Sequence, residues 1–268
     1  MATVPPPHGP PGVLVVGHGT ADASGADETH CLAAGVAGAL PGIAVELGFL
    51  EVIGPTVAEA LERLAARECR EVVAAPLLLF TAGHARRDLP EAIAEPAARL
   101  GITVCQADAL GCHPALVALS RRRRDEARAA AGADGRAEAV AFVVRGSSDP
   151  STPPQAAAFL AASLGLERVA PPAEVGFVAA ARPTVAEALD ALAGAARRAG
   201  GAWRVLVQPH LLFRGHVVDR VEAELDAARR RHPAIEWVAV ERLGPDPAVV
   251  RAVIDRVMPG RLPPAAGG

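Results

Sequence analysis

Short apolar runs alternate with amphipathic stretches along most of the chain. Val13 to Val16 are unbroken apolar residues that run into Gly17-His18-Gly19-Thr20, which predicts a buried strand over 13–17. A polar loop follows, then an alanine-rich helix from about Glu28 to Leu40, broken by Pro41 and Gly42. Residues 43–51, IAVELGFLE, predict a second strand that stops before Gly54-Pro55. In the next stretch Val57, Leu61 and Leu64 share one face at helical period, and Thr56 and Glu59 have the spacing of a capping box. A third strand is expected over 71–80, a helix from about Arg86 to Leu100, and a fourth strand at ITVCQADAL. His113-Pro114 opens a last helix whose Arg121 to Arg124 read as an exposed face. The strands are continuous apolar runs, the pattern of a parallel sheet covered on both faces. The small and polar residues 129–138 read as a linker.

Past that linker the pattern starts again. GFLEVIGPTVAEALERL (48–64) returns as GFVAAARPTVAEALDAL (176–192), and APLLLFTAGH (75–84) as QPHLLFRGH (208–216) with one residue deleted. LGCHPALV (110–117) returns as LGPDPAVV (243–250), and VVGHGT (15–20) as VVRGSS (143–148). The order holds throughout, so a whole α/β domain has been duplicated. The expected organisation is a disordered leader over 1–12, one domain over 13–130 and a degenerate second over 139–260, with a ligand cleft between them.

Composition narrows the chemistry. With 51% hydrophobic and 21% charged residues, the 268-residue chain suits globular domains with sizeable cores. A net charge of −3 gives no basic signal for nucleic acid. All 27 basic residues are arginine, which excludes lysine Schiff-base chemistry and the phosphate-loop lysine. The absence of tyrosine removes a phenolic acid or base. The four cysteines form no CxxC pair, and Cys69 and Cys105 read as small core residues. With neither a signal peptide nor a membrane-length apolar run, the expectation is a cytoplasmic protein with reduced thiols.

The two copies act as each other's control. Pro55 to Leu61 reappear unchanged as Pro183 to Leu189, so Glu59 and Glu187 read as helix caps. The strand ends differ. His18, Glu51 and His84 of the first copy correspond to Arg145, Ala179 and His216 of the second. Strand ends of one open parallel sheet converge on one edge, where ligands collect. Two imidazoles and a carboxylate there suit a divalent transition metal, and the same groups accept protons near neutral pH. His84 also reads as a helix-start cap, a reading that His216 supports. Arg86, Arg87, Arg145, His210, Arg214 and His216 are the candidates for binding an anionic substrate, arginine through the fit of its fork to carboxylates.

VLVVGHGT, then GFLE before Pro-Thr-Val-Ala-Glu-Ala-Leu, then PLLLFTAGHARRDLP, resemble the sirohydrochlorin chelatases, the class II chelatase family, in the long form that fuses two domains. The resemblance covers nearly the whole chain beyond the leader. It implies a chelatase-like fold of flavodoxin-like topology. It also implies insertion of Co²⁺ or Fe²⁺ into a carboxylate-rich tetrapyrrole without ATP, and no organic cofactor. The family's metal-binding histidines fall on His18 and His84, and its acidic residue on Glu51. Arg145 and Ala179 leave the second copy without a chelation site. The fused pair suggests a monomer with pseudo-two-fold symmetry. Two other classes are weighed beside it. A tetrapyrrole or metal carrier would use the same site without turnover. A histidine phosphatase would need an Arg-His-Gly run, whereas Gly17 precedes His18.

Overall fold

The computed structural model describes residues 10–81, 87–132, 134–165 and 170–258. In the first half, β1 (Gly12–Gly17), α1 (Ala23–Ala39), β2 (Ala44–Phe49), α2 (Val57–Ala66), β3 (Glu71–Pro76), α3 (Leu89–Leu100), β4 (Thr103–Gln106) and α4 (Pro114–Ala131) alternate in order. The second half repeats them as β5 (Ala137–Val144), α5 (Thr152–Leu164), β6 (Ala173–Phe177), α6 (Val185–Ala199), β7 (Trp203–Pro209), α7 (His216–Arg231), β8 (Ile235–Ala239) and α8 (Pro247–Val257). Each half builds a four-stranded parallel sheet, ordered β2-β1-β3-β4 and β6-β5-β7-β8. This is the flavodoxin-like winding, with the switch in strand order at the first strand of each sheet. Among the described residues no helix is long and apolar enough to cross a membrane.

Central strands are covered on both faces, which is why they read as apolar runs rather than alternating ones. Leu14 and Val16 join Leu61, Leu64 and Leu89 in one core cluster, while Val13 and Val15 are buried on the opposite face. Helix starts follow local rules. Thr56 and Glu59 form a complete capping box on α2, and Thr184 and Glu187 do the same on α6. Both glutamates are therefore caps, and their bonds to the threonine backbone hold their carboxyls below the usual range. Helix α1 starts earlier than its alanine content suggests, because the Asp22 side chain accepts from the Gly25 amide. The interval read as a linker is shorter, since α4 continues to Ala131 and β5 begins at Ala137. Cys69 is buried as expected. Cys105 is exposed, being on the four-residue strand β4 at the sheet edge.

The chain divides into two compact units, Met1–Leu110 with Val249–Gly268, and Gly111–Ala248. The division differs from that of the sequence repeat at the last helix of each copy. Helix α4 belongs to the unit of the second sheet, and nearly all of α8 to the unit of the first. Arg124 shows what fits α4 to its unit. Arg121 to Arg123 have acidic neighbours at Asp125, Glu126 and Asp246, but Arg124 is fully buried rather than part of an exposed face. Its Nη1 donates to Gln208 Oε1 at 2.8 Å and its Nη2 to the Ser163 carbonyl at 2.7 Å. Gln208 in turn donates to the Ser120 carbonyl at 2.7 Å. Counting along the repeat, Arg124 and Gln208 correspond to Val257 and Ala75, which are both buried in the other unit. One unit thus buries polar residues where the other buries apolar ones.

Candidate metal site

The site grows out of the β1–β2 ladder. Strand β1 pairs with β2 up to Gly17 opposite Phe49. The pairing continues beyond both strands, as the Leu50 amide donates to the Gly17 carbonyl and the Glu51 amide to the His18 carbonyl, each at 3.1 Å. His18 and Glu51 are thereby fixed side by side at the carboxyl edge. Their side chains meet, with His18 Nδ1 3.1 Å from Glu51 Oε1. The imidazole is about a quarter exposed and the carboxylate more than half. With its proton on Nδ1 directed at this carboxylate, the imidazole carries its lone pair on Nε2. Among the described residues no group of three or more His, Cys, Asp or Glu is gathered for a metal. The described part of the predicted set is this pair, since His84 and Arg86 lie outside the described residues.

The glycines flanking His18 serve the chain's own packing. A Cβ on Gly17 would stand 2.9 Å from the Phe49 ring. A Cβ on Gly19, whose φ is 103°, would stand 1.9 Å from the Glu51 carbonyl oxygen. The loop after Glu51 is closed by the Phe49 amide donating to the Pro55 carbonyl at 2.8 Å. Within it Val52 has a φ of 72°, a feature that sequence reading missed.

The second sheet keeps the scaffold without the His–Glu pair. The Ala179 amide donates to the Arg145 carbonyl at 2.9 Å, and a Cβ on Gly146 would again strike the facing carbonyl at 1.9 Å. Arg145 stands where His18 would be, and Ala179 has no carboxylate to offer. Arg145 and His216 are exposed in this unit, as is Arg87 in the first. Arg214 is engaged by Glu222 at 3.0 Å and Asp219 at 3.6 Å. His210 does not belong to a substrate-binding set. It is 2% exposed and packs against Phe142 and Phe159, with ring centroids 5.1 and 4.0 Å away. Burial pushes its imidazole down to about 3, so at neutral pH it is an uncharged core ring.

The CbiX family model matches residues 12–127 and again 139–259, so the chain belongs to the CbiX family. The sirohydrochlorin ferrochelatase of Bacillus subtilis (strain 168) is 27% identical over 249 residues, covering 91% of this chain and 90% of that protein. The sirohydrochlorin cobaltochelatase of Priestia megaterium is 25% identical over 256 residues, covering 92% of this chain and 79% of that protein. A solved structure of SirB from Bacillus subtilis with Fe³⁺ shares the fold, with a TM-score of 0.80 at 24% identity, over 92% of this chain and 94% of that one. The match of both halves to one family model agrees with the duplication read from the sequence.

Proposed function

We propose that the protein is a sirohydrochlorin chelatase, which inserts Co²⁺ or Fe²⁺ into the metal-free tetrapyrrole without ATP. The observation that carries this reading is the His18–Glu51 pair at 3.1 Å on the carboxyl edge of the first sheet, replaced by Arg145 and Ala179 in the second. The names of the two relatives support the substrate and the two metals. The metal is a substrate here, and no organic cofactor is invoked.

Insertion requires three things of the chain. The ion must exchange water for protein ligands, two pyrrole N–H protons must leave, and the ion must enter from one face of the ring. His18 Nε2 supplies a neutral nitrogen of the type cobalt and iron accept, with His84 proposed as its partner. Glu51 orients the His18 ring. The pair is proposed to take up the pyrrole protons and pass them to water, so that two protons leave as one divalent ion enters. Arg87 is proposed to meet a peripheral carboxylate of the substrate. With both halves in one chain, the protein is read as a cytoplasmic monomer.

Anaerobic mixing of the purified protein with excess sirohydrochlorin and Co²⁺ or Fe²⁺, followed by visible absorbance, tests the reading. Many metallated products per protein molecule are expected. A plateau at one equivalent identifies a carrier instead, and no spectral change removes the reading altogether.

A further inference from the structure

Val52 is the one exposed large hydrophobic residue among those described, with 64% of its surface open. It directly follows Glu51. Its φ of 72°, with the Ile53 amide donating to the Glu51 carbonyl at 2.8 Å, makes it the centre of a γ-turn of the strained, positive-φ kind. A β-branched residue is among the least suited to this backbone. The second unit shows that the loop does not need one. Ala180 occupies the same place with a φ of 56°. The backbone shape is therefore common to both loops, and only the loop beside the metal-site pair carries a branched apolar side chain. Packing does not explain that side chain, because most of it faces solvent. Glycine or alanine would relieve the turn and expose less apolar surface.

Resting on the proposed function, we infer that Val52 is a substrate-contact residue, whose methyl groups meet the apolar face of the tetrapyrrole beside Glu51. The chemistry of insertion makes such a contact fitting. An ion entering along the normal to the ring needs the ring held in place over the groups that carry the ion. The carboxylates at the periphery give no hold on the face itself. An apolar group already exposed next to the pair loses its water when the ring arrives, and no internal packing has to be undone. The residue acts on binding and on ring placement, while proton and metal transfer remain with His18 and Glu51.

Three substitutions separate this role from a role in shaping the turn. Val52→Thr keeps the branching and the turn and exchanges one methyl for a hydroxyl. Val52→Gly removes the side chain and relieves the backbone. Val52→Ile keeps an apolar branched group. Metal insertion is measured at varied sirohydrochlorin, together with Tm and a fluorescence titration with metal-free sirohydrochlorin. The expected result is a KM raised about fivefold in Val52→Thr and about tenfold or more in Val52→Gly, with kcat within twofold of wild type and Val52→Ile close to wild type. A single contacting side chain is worth roughly that much discrimination. Tm of Val52→Gly is expected to rise by about 3 °C as affinity falls, a pairing that a purely structural role would not produce. If wild type inserts metal and the Thr and Gly variants keep its KM, the inference is overturned and the function stands. If wild type shows no turnover, the function fails and the titration decides the contact. Weaker binding by Val52→Gly upholds it, and equal or absent binding overturns it.

Discussion

Replacing His18 with alanine is expected to lower kcat for metal insertion by about 100-fold or more, with no measurable change in fold. In the proposed mechanism the ring offers its Nε2 lone pair to the ion, and that same lone pair is open to a pyrrole proton only once the ion has passed to the macrocycle. General-base contributions alone fall in the range of about 10²–10⁴. Glu51 cannot replace it, because a lone, largely exposed carboxylate is well solvated and holds a divalent ion weakly. The substitution should be mild for folding. The ladder that positions His18 runs through its carbonyl, which alanine keeps. The second sheet accepts an arginine at the same place. A Tm within about 2 °C of wild type, with unchanged circular dichroism, is the accompanying result. Loss of activity together with loss of fold would remove His18 from the chemistry and make it a structural residue.

The second large effect concerns the core of the second unit. Arg124→Val is expected to destabilise the second unit by about 3–5 kcal/mol, the usual consequence of removing one member of a buried polar set. It leaves Gln208 Oε1 and the Ser163 carbonyl without the donors that reach them at 2.8 and 2.7 Å. Gln208→Ala alone should also destabilise, since a buried guanidinium then loses an acceptor. The double variant Arg124→Val, Gln208→Ala writes in the apolar residues that the first unit buries at the corresponding places, Val257 and Ala75. It should recover more than half of the loss, giving a coupling energy of about 2 kcal/mol or more in a double-mutant cycle. Both tryptophans, Trp203 and Trp237, belong to β7 and β8. Denaturant unfolding followed by their fluorescence therefore reads the second unit directly. Additive single effects would show that Arg124 and Gln208 do not act as a pair.

Those two residues also mark where the sequence stopped being legible. The parallel strands were visible because strands covered on both faces are apolar without alternation, as Val13 to Val16 illustrate. The helix starts at Thr56 and Thr184 were visible because a capping box involves only four consecutive residues. The nearness of His18 and Glu51 was visible from the strand ends, since the hydrogen bonding runs on to His18, one residue past β1, and to Glu51, two past β2. The exchange of α4 and α8 between units was not. Arg121 to Arg124 look alike in sequence, and what buries the last of them is Gln208, on a strand of the second sheet. A signal was present: Gln208 and His210 interrupt a strand whose first-copy counterpart reads Ala75 and Leu77. His210 drew attention for the same reason, but its ring fills the core against two phenylalanines instead of facing a substrate. The turn at Val52 was hidden because its positive φ depends on how Phe49 and Pro55 close the loop, and no motif announces that in valine.

In the proposed function the chemistry belongs to the first copy's strand ends, and the second copy preserves only their scaffold. This claim is tested most directly by the double variant His18→Arg, Glu51→Ala, which writes the second copy's residues onto the first. Anaerobic insertion of Co²⁺ into sirohydrochlorin is measured beside thermal unfolding. The expected variant is folded, with a Tm within a few degrees of wild type, and forms metallated product no faster than the solution without protein. Product formation by the folded double variant at a rate near wild type would contradict the claim and place the chemistry elsewhere in the chain.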